Sequence, residues 1–178
     1  KGARGVRVLT EKSDRYDLLF NGRPFAKYIS IDELKSTVGK KEIPELMVME
    51  YLEGVELKID PVLQNGEMLT CSVKNRLNFA SGLAMGFEMI EDNEAINYAR
   101  SLLKHLPMDY CIDISTRGGV LMEINPRVST YIYSENYCAP YLALKLAMEE
   151  MSADEIKDYQ TKLPIGKKMF RYYGQIDY

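Results

Sequence analysis

The chain has 178 residues, 46% of them hydrophobic and 28% charged, with a formal net charge of −3. These totals describe one globular domain, or one domain with a small lobe; the acidic balance is the wrong sign for a nucleic-acid-binding module, and no apolar run approaches the ~20 residues of a membrane-spanning helix. Cys71, Cys111 and Cys138 are odd in number and far apart, so they read as small buried hydrophobes of a reducing, cytoplasmic compartment and not as a disulfide frame or a zinc site.

In chain order, the sequence opens on Lys1-Gly2-Ala3-Arg4-Gly5. Glycines let a backbone approach an anion closely, and arginine pairs with phosphate, which is one reading; a flexible terminus is the other. A domain seldom opens inside such a loop, so upstream sequence is expected to complete the fold. Residues 6–9 and 16–20 read as strands, Asn21-Gly22-Arg23-Pro24 as a turn and residues 25–29 as extended chain. Ser30-Ile31-Asp32-Glu33 is a capping box for a helix that runs to about Val38 and stops at Gly39. The continuous apolar run Leu46-Met47-Val48-Met49 predicts a strand over residues 45–51, buried on both faces.

Asn65-Gly66 is the strongest short turn signal; it joins strands over residues 55–63 and 68–74. On the first strand Glu56, Lys58 and Asp60 share one face, and Leu57 and Ile59 take the other. The expectation is an apolar face in the core and a charged face in solvent. Lys74-Asn75-Arg76 ends the second strand with two cations, which either clamp an anionic substrate or serve solubility. Residues 78–86, with two glycines and small residues, read as a loop. Residues 94–106 form an amphipathic helix capped by Asp92 or Asn93 and ended by Pro107. His105 reads as a helix-terminal residue, not a ligand or base, so Ser/His/Asp catalysis has little support. Pro140 suits the first turn of a helix to about Met151. Ser152 and Glu155 form a second capping box, and residues 168–173 close as a strand. About eight strands and four helices, with hairpins outnumbering βαβ units, make the fold α+β with a largely antiparallel sheet.

Between these helices lies the run Val120-Leu121-Met122-Glu123-Ile124-Asn125-Pro126-Arg127. Glu123, Asn125 and Arg127 fall at every second position and therefore on one strand face. A carboxylate, an amide and a guanidinium together suit a metal ion and the phosphates it bridges; a solvated surface hairpin is the alternative. Upstream, residues 109–115 alternate as well, and Thr116-Arg117-Gly118-Gly119 is a turn. With a three-residue loop centred on Gly118, Asp113 lies opposite Glu123, and two such carboxylates need a cation between them. A two-residue loop breaks that pairing.

Glu123-Ile124-Asn125-Pro126-Arg127-Val128-Ser129 resembles the metal-binding strand of ATP-grasp enzymes, closest to the carbamoyl-phosphate synthase large chain and its ligase relatives. Met49-Glu50-Tyr51-Leu52-Glu53-Gly54-Val55-Glu56 resembles the hinge of the same family, and the order of the motifs fits. The resemblance implies an ATP-grasp-like fold, with an incomplete small lobe and hinge over residues 1–52 and a C-terminal lobe over residues 53–178. It implies ATP and Mg²⁺, or Mn²⁺ in its place. Glu123 would bridge two metal ions, Asn125 would bind one, and Asp113 would stand for the upstream ligand. Arg127 would contact the transferred phosphate. Glu50 would bind the adenine amino group, the backbone of Tyr51 and Leu52 the ring, and Glu56 the ribose. Arg4 and Gly5 would belong to the loop over the phosphates, and Lys74 and Arg76 would be substrate-side cations.

The implied activity is that of an ATP-dependent ligase that activates a carboxylate, bicarbonate or carbamate as an acyl phosphate for attack by an amine. The alternatives are a nucleotide-binding module without catalysis and a plain interaction domain. Expected partners are ATP and a small carboxylate, with no nucleic acid and no membrane, and a homodimer is the expected assembly. Two departures stand out. The lysine strand before the glycine-rich loop and the preceding substrate domain are expected upstream, so the isolated chain should bind nucleotide poorly. Lys58 occupies a position where relatives often carry a small polar residue.

Overall fold

Strand β3, Glu56–Gln64, is the axis of the molecule's main sheet. The computed structural model describes residues 7–11, 28–38, 45–80, 83–130 and 134–170. The chain divides into two units, Lys1–Tyr51 and Leu52–Tyr178.

In the first unit, β1 (Val8–Leu9) pairs in parallel with β2 (Tyr28–Ile29). Helix α1 (Ile31–Val38) starts where expected. The Glu33 N–H donates to Ser30 Oγ at 3.1 Å, and the Ile31 N–H donates to Glu11 Oε1 at 2.9 Å, so two of the open donors of its first turn are satisfied. The buried strand expected over residues 45–51 is not formed: these residues have no regular structure, and Val48 is 93% exposed. An apolar run states only a tendency to be buried. A strand also needs a neighbour for its N–H and C=O groups, and none of the described strands pairs with this run. The strand expected at residues 16–20, the turn at residues 21–24 and the loop bearing Arg4 and Gly5 lie outside the described residues.

In the second unit the described residues form a seven-stranded sheet in which every pairing is antiparallel. β4 is Glu67–Ala80, β5 Leu83–Ile90, β6 Tyr110–Cys111, β7 Asp113–Arg117, β8 Val120–Asn125 and β9 Lys168–Phe170. The order across the sheet is β8-β7-β3-β4-β5-β9, with β6 also on β3. Asn65 and Gly66 both have positive φ, 49° and 79°, as the primed hairpin turn requires. Residues 78–80 and 83–86 are strand, not loop. β4 continues to Ala80 and pairs with β5, Phe79 opposite Ala84 and Ala80 opposite Leu83. Small residues lower strand propensity, but pairing with a long neighbour overrides it.

Pro61 stands inside this central strand, where a missing N–H is normally excluded. The sheet is interrupted to accommodate it. Ile59 pairs with Ile114 and Val62 with Cys111, so the same register sets Pro61 against Ile112, the residue that belongs to neither β6 nor β7. On the other side of β4, β5 ends at Ile90, opposite Val73. Beyond that point a side chain takes over as the neighbour: the Cys71 N–H donates to Gln160 Oε1 at 2.7 Å, and Gln160 Nε2 donates to the Cys71 carbonyl at 3.1 Å.

Helices cover both faces. α2 (Asn93–Leu103) is capped by Asp92, whose Oδ1 accepts from the Ala95 N–H at 2.9 Å. It buries Ala99 and Leu103 against Ile59, Leu63, Val73 and Ile114. α3 (Ala139–Ala147) has Pro140 in its first turn and ends before the expected Met151, with Glu149 at φ 56°. α4 (Ala153–Lys157) carries the complete Ser152–Glu155 capping box and runs into a 3₁₀ turn, Asp158–Lys162. With Tyr137, α3 and α4 bury Leu142, Leu146 and Ile156 against Val62 and Leu69. Each such fully buried side chain contributes about 1.5–3 kcal/mol. Cys71 is buried, and burial raises its thiol pKa; in half-buried Cys111 burial pushes the thiol up to about 12. Among the described residues no helix is long and apolar enough to cross a membrane.

The turn between β7 and β8 is held from outside by a glycine pair. Gly118 N–H donates to the Val55 carbonyl at 3.1 Å, and a Cβ on Gly54 would lie 2.9 Å from Gly118 Cα. A Cβ on Gly118 would run into the Glu53 carbonyl oxygen, whereas one on Gly119 meets nothing within 4 Å. Both glycines have positive φ. Gly118→Ala and Gly119→Ala therefore share the backbone strain, about 1 kcal/mol, while Gly118→Ala adds a clash and should lose ~2 kcal/mol more. Urea denaturation of the two variants measures the difference; equal midpoints would remove the close approach as a cause.

Candidate functional site

The β3 alternation puts Glu56, Lys58 and Asp60 on one face, as expected. That face is not in solvent. Glu56, Lys58, Asp60, Ser72, Lys74, Asp113 and Ser115 are all buried. α3 and α4 cover its far end, and the segment after β8 crosses the rest. The Thr130 carbonyl accepts from Lys74 Nζ at 2.6 Å, and Arg127 Nη1 lies 2.8 Å from Asp113 Oδ2. Local alternation cannot reveal this cover, because it arrives from more than fifty residues downstream.

The register between β7 and β8 also differs from expectation. The turn has two residues, Gly118 and Gly119, with Arg117 opposite Val120. Asp113 therefore faces Asn125, and Glu123 faces Ser115; the expected Asp113–Glu123 opposition is corrected. A bulge makes the difference. Thr116 pairs with Leu121 but Ser115 pairs with Glu123, so Met122 is the additional residue. Without it, Glu123 would stand opposite Ile114 and point into the apolar core. The bulge returns Glu123 and Asn125 to the polar face.

The buried charges are arranged as pairs. Glu56 receives both Arg76 and Arg117, Arg76 Nη1 on Oε1 and Arg117 Nη2 on Oε2 at 2.8 Å. Lys74 Nζ lies 2.7 Å from Asp60 Oδ2 and 5.2 Å from the Phe87 ring. Lys58 Nζ lies 3.0 Å from Asp113 Oδ1 and 3.6 Å from Glu123 Oε1, and also bonds Ser115 Oγ. Lys58 and Lys74 are direct cross-strand neighbours, a repulsive arrangement, and each ammonium turns to a different carboxylate.

These pairings redefine several candidates. Lys74 is fully buried on Asp60, which does not fit the expected substrate-side cation. Arg76 is engaged by Glu56, and each Glu56 oxygen already accepts from an arginine. Asp113 is held by Lys58 and Arg127. Glu123 and Arg127 remain accessible, with side chains 56% and 55% exposed. Glu50 and Tyr51 are exposed and Leu52 half-buried. Lys58 and Ser115, not singled out for a role from the sequence, sit at the centre of the cluster; the departure at Lys58 was the available signal.

Burial alone would raise the Glu123 carboxyl, but hydrogen bonding from Asn125, the Lys58 ammonium and Ser115 outweigh it and hold the group below the usual carboxylate range. Burial pushes Asp60 above that range, against the pull of Lys74. Burial, and then Arg117, lower Arg76.

For a divalent cation, the open hard-oxygen donors are the Glu123 carboxylate and the Asn125 carbonyl. Mg²⁺ is commonly held by one or two protein ligands, with phosphate and water oxygens completing its shell, so these residues fit one ion. Among the described residues no group of three or more His, Cys, Asp or Glu side chains could hold a metal by itself.

Glu56→Gln removes the buried carboxylate charge with which both Arg76 and Arg117 pair and should cost about 3–5 kcal/mol; Arg117→Met, which keeps the Arg76 pair, should cost less. Denaturant midpoints of the two variants test the order. A depressed folded-state pKa at Glu123 stabilises the fold at neutral pH, and that contribution is lost as pH falls through the depressed value. In Glu123→Gln the acid limb of a pH–stability curve should accordingly be shallower below about pH 4.5; an unchanged limb would show that Glu123 is not held in its charged form.

A comparison with curated protein sequences finds no match. The sequence profile described as ATP-grasp in the biosynthetic pathway with Ter operon matches residues 42–167. That span runs from the segment before Glu50, through the whole charged face and both covering helices, to the chain entering β9, and so takes in most of the protein. With its antiparallel sheet, the glycine-pinned β7–β8 turn and the Glu-x-Asn-Pro-Arg strand, the chain belongs to this ATP-grasp family.

Proposed function

We propose that the protein is an ATP-dependent ligase that activates a carboxylate, bicarbonate or carbamate as an acyl phosphate for attack by an amine, in the manner of carbamoyl-phosphate synthases. The ATP-grasp profile match supports ligase chemistry on a nucleotide at the coarse level. The observation that carries the reading is accessible Glu123 and Arg127, with half-buried Asn125 between them, on the rim of an otherwise buried, charge-paired sheet face.

In this reading Glu123 and Asn125 hold the Mg²⁺ that accompanies ATP; when bound, the ion neutralises charge on the phosphates. Arg127 reaches the transferred phosphoryl group from its position beside Asp113, which keeps the guanidinium oriented. Glu50, with the backbone of Tyr51 and Leu52, takes the adenine, and Arg4 and Gly5 serve the phosphates. A carboxylate oxygen of the substrate attacks the γ-phosphorus, the bond to ADP breaks, and the acyl phosphate forms. The amine nitrogen then attacks the acyl carbon, and phosphate leaves. The chain contributes positioning and charge, which is most of what phosphoryl transfer requires. Glu56, Asp60 and Lys74 act on the scaffold, holding β3, β4 and β7 in register.

A second reading, nucleotide binding without turnover, draws on the same structure, because the internal pairing of Glu56 and Asp113 leaves few ligands free. ADP release from Mg·ATP with bicarbonate or a panel of small carboxylates separates the two. Glu123→Gln should lower that rate by ~100-fold or more while nucleotide still binds. Turnover at the wild-type rate would end the metal role of Glu123, and calorimetric binding of a non-hydrolysable ATP analogue with no ADP release by any substrate would favour the second reading.

A further inference from the structure

On the charged face, the Lys58 side chain reaches three polar groups of β7 and β8: Asp113, Ser115 and Glu123. A lysine ammonium has three N–H donors, and here three groups surround it: Asp113, with Oδ1 at 3.0 Å and Oδ2 at 3.1 Å, Ser115 Oγ, and Glu123 Oε1 at 3.6 Å. Long lysine side chains usually carry their ammonium outward to water. This one is directed inward, away from its cross-strand neighbour Lys74, and its side chain is only 11% exposed. An ammonium enclosed by two carboxylates and a hydroxyl oxygen stands where a cation is needed between like charges.

The charge count of the face agrees. Four carboxylates, Glu56, Asp60, Asp113 and Glu123, meet five cations, Lys58, Lys74, Arg76, Arg117 and Arg127, through the ion pairs described above. The carboxylates are thus already compensated from within the protein, and Asp113 has both oxygens engaged.

We propose that the Lys58 ammonium is a built-in cation that takes the place of a divalent ion between Asp113 and Glu123, so that the site loads one divalent ion, at Glu123 and Asn125, instead of two. The proposal rests on reading this face as a metal–nucleotide site. Lys58 is a positioning residue: it fixes the Glu123 carboxylate for the single ion and keeps Asp113 out of the metal's coordination shell.

The test is a Mn²⁺ titration of the full chain with a non-hydrolysable ATP analogue, followed by electron paramagnetic resonance. Wild-type protein should bind one Mn²⁺ per chain, without the spin coupling of a metal pair. Lys58→Met, which keeps the apolar stem and removes the charge, should bind two, and Lys58→Arg should stay at one. Asp113→Asn, made separately in case Lys58→Met does not fold, should still bind one Mn²⁺ per chain, since Asp113 is not one of the ion's ligands. Two coupled ions in the wild type, one ion in a folded Lys58→Met, or no bound Mn²⁺ in a folded Asp113→Asn that still binds the analogue would each overturn the proposal. Failure of the wild type to bind either analogue or Mn²⁺ would instead overturn the function proposed above, and this inference with it.

Discussion

A charge carried into the interior of a sheet must find its counter-charge there, and this requirement governs the second unit. Buried Glu56 lies between two arginines, buried Asp60 on Lys74, and buried Asp113 between Lys58 and Arg127. Desolvating such ions costs several kcal/mol each, so their net contribution to stability is small, but the loss of one partner leaves a buried charge uncompensated. The pairs connect β3 to β4, β3 to β7, and β7 to the segment after β8. Each depends on strand register, and a slip by one residue would turn every charge into the apolar core.

Local devices hold that register. The Gly54–Gly118 contact pins the β7–β8 turn, and the bulge at Met122 sets which face Glu123 and Asn125 present. Pro61 and Ile112 share a gap in the ladder, and the Gln160 amide stands in for a strand beyond the end of β5. A charge-paired scaffold with an accessible rim is the arrangement that positioning catalysis needs, since misplacement by an ångström can cost orders of magnitude in rate.

Features decided within a few residues were legible in the sequence. The capping oxygens of Ser30, Asp92 and Ser152, the Asn65-Gly66 turn and Pro140 in the first turn of α3 all act across three or four positions, and all are found where the pattern puts them. The mainly antiparallel sheet followed from the hairpins. Other features were not legible, because their cause is distant in sequence. Among the described residues the apolar run at residues 46–49 has no strand partner, and residues 78–80 and 83–86 became strand because β4 and β5 pair. The opposition of Asp113 and Glu123 failed on a turn one residue shorter than assumed and on a bulge that no local composition announces.

By itself, then, the sequence determined the residue types of the site, their alternation on strands, and the caps and turns that bound the elements, since these depend on covalent neighbours and short-range hydrogen bonding. The tertiary structure alone decided that the charged face of β3 is buried, that Glu56 and Lys74 are engaged inside the protein, and that Lys58 lies between Asp113 and Glu123. The physical reason is that the fate of a charge depends on what covers it and what it pairs with, and for β3 the cover, like the Asp113 and Glu123 partners of Lys58, comes from segments more than fifty residues away.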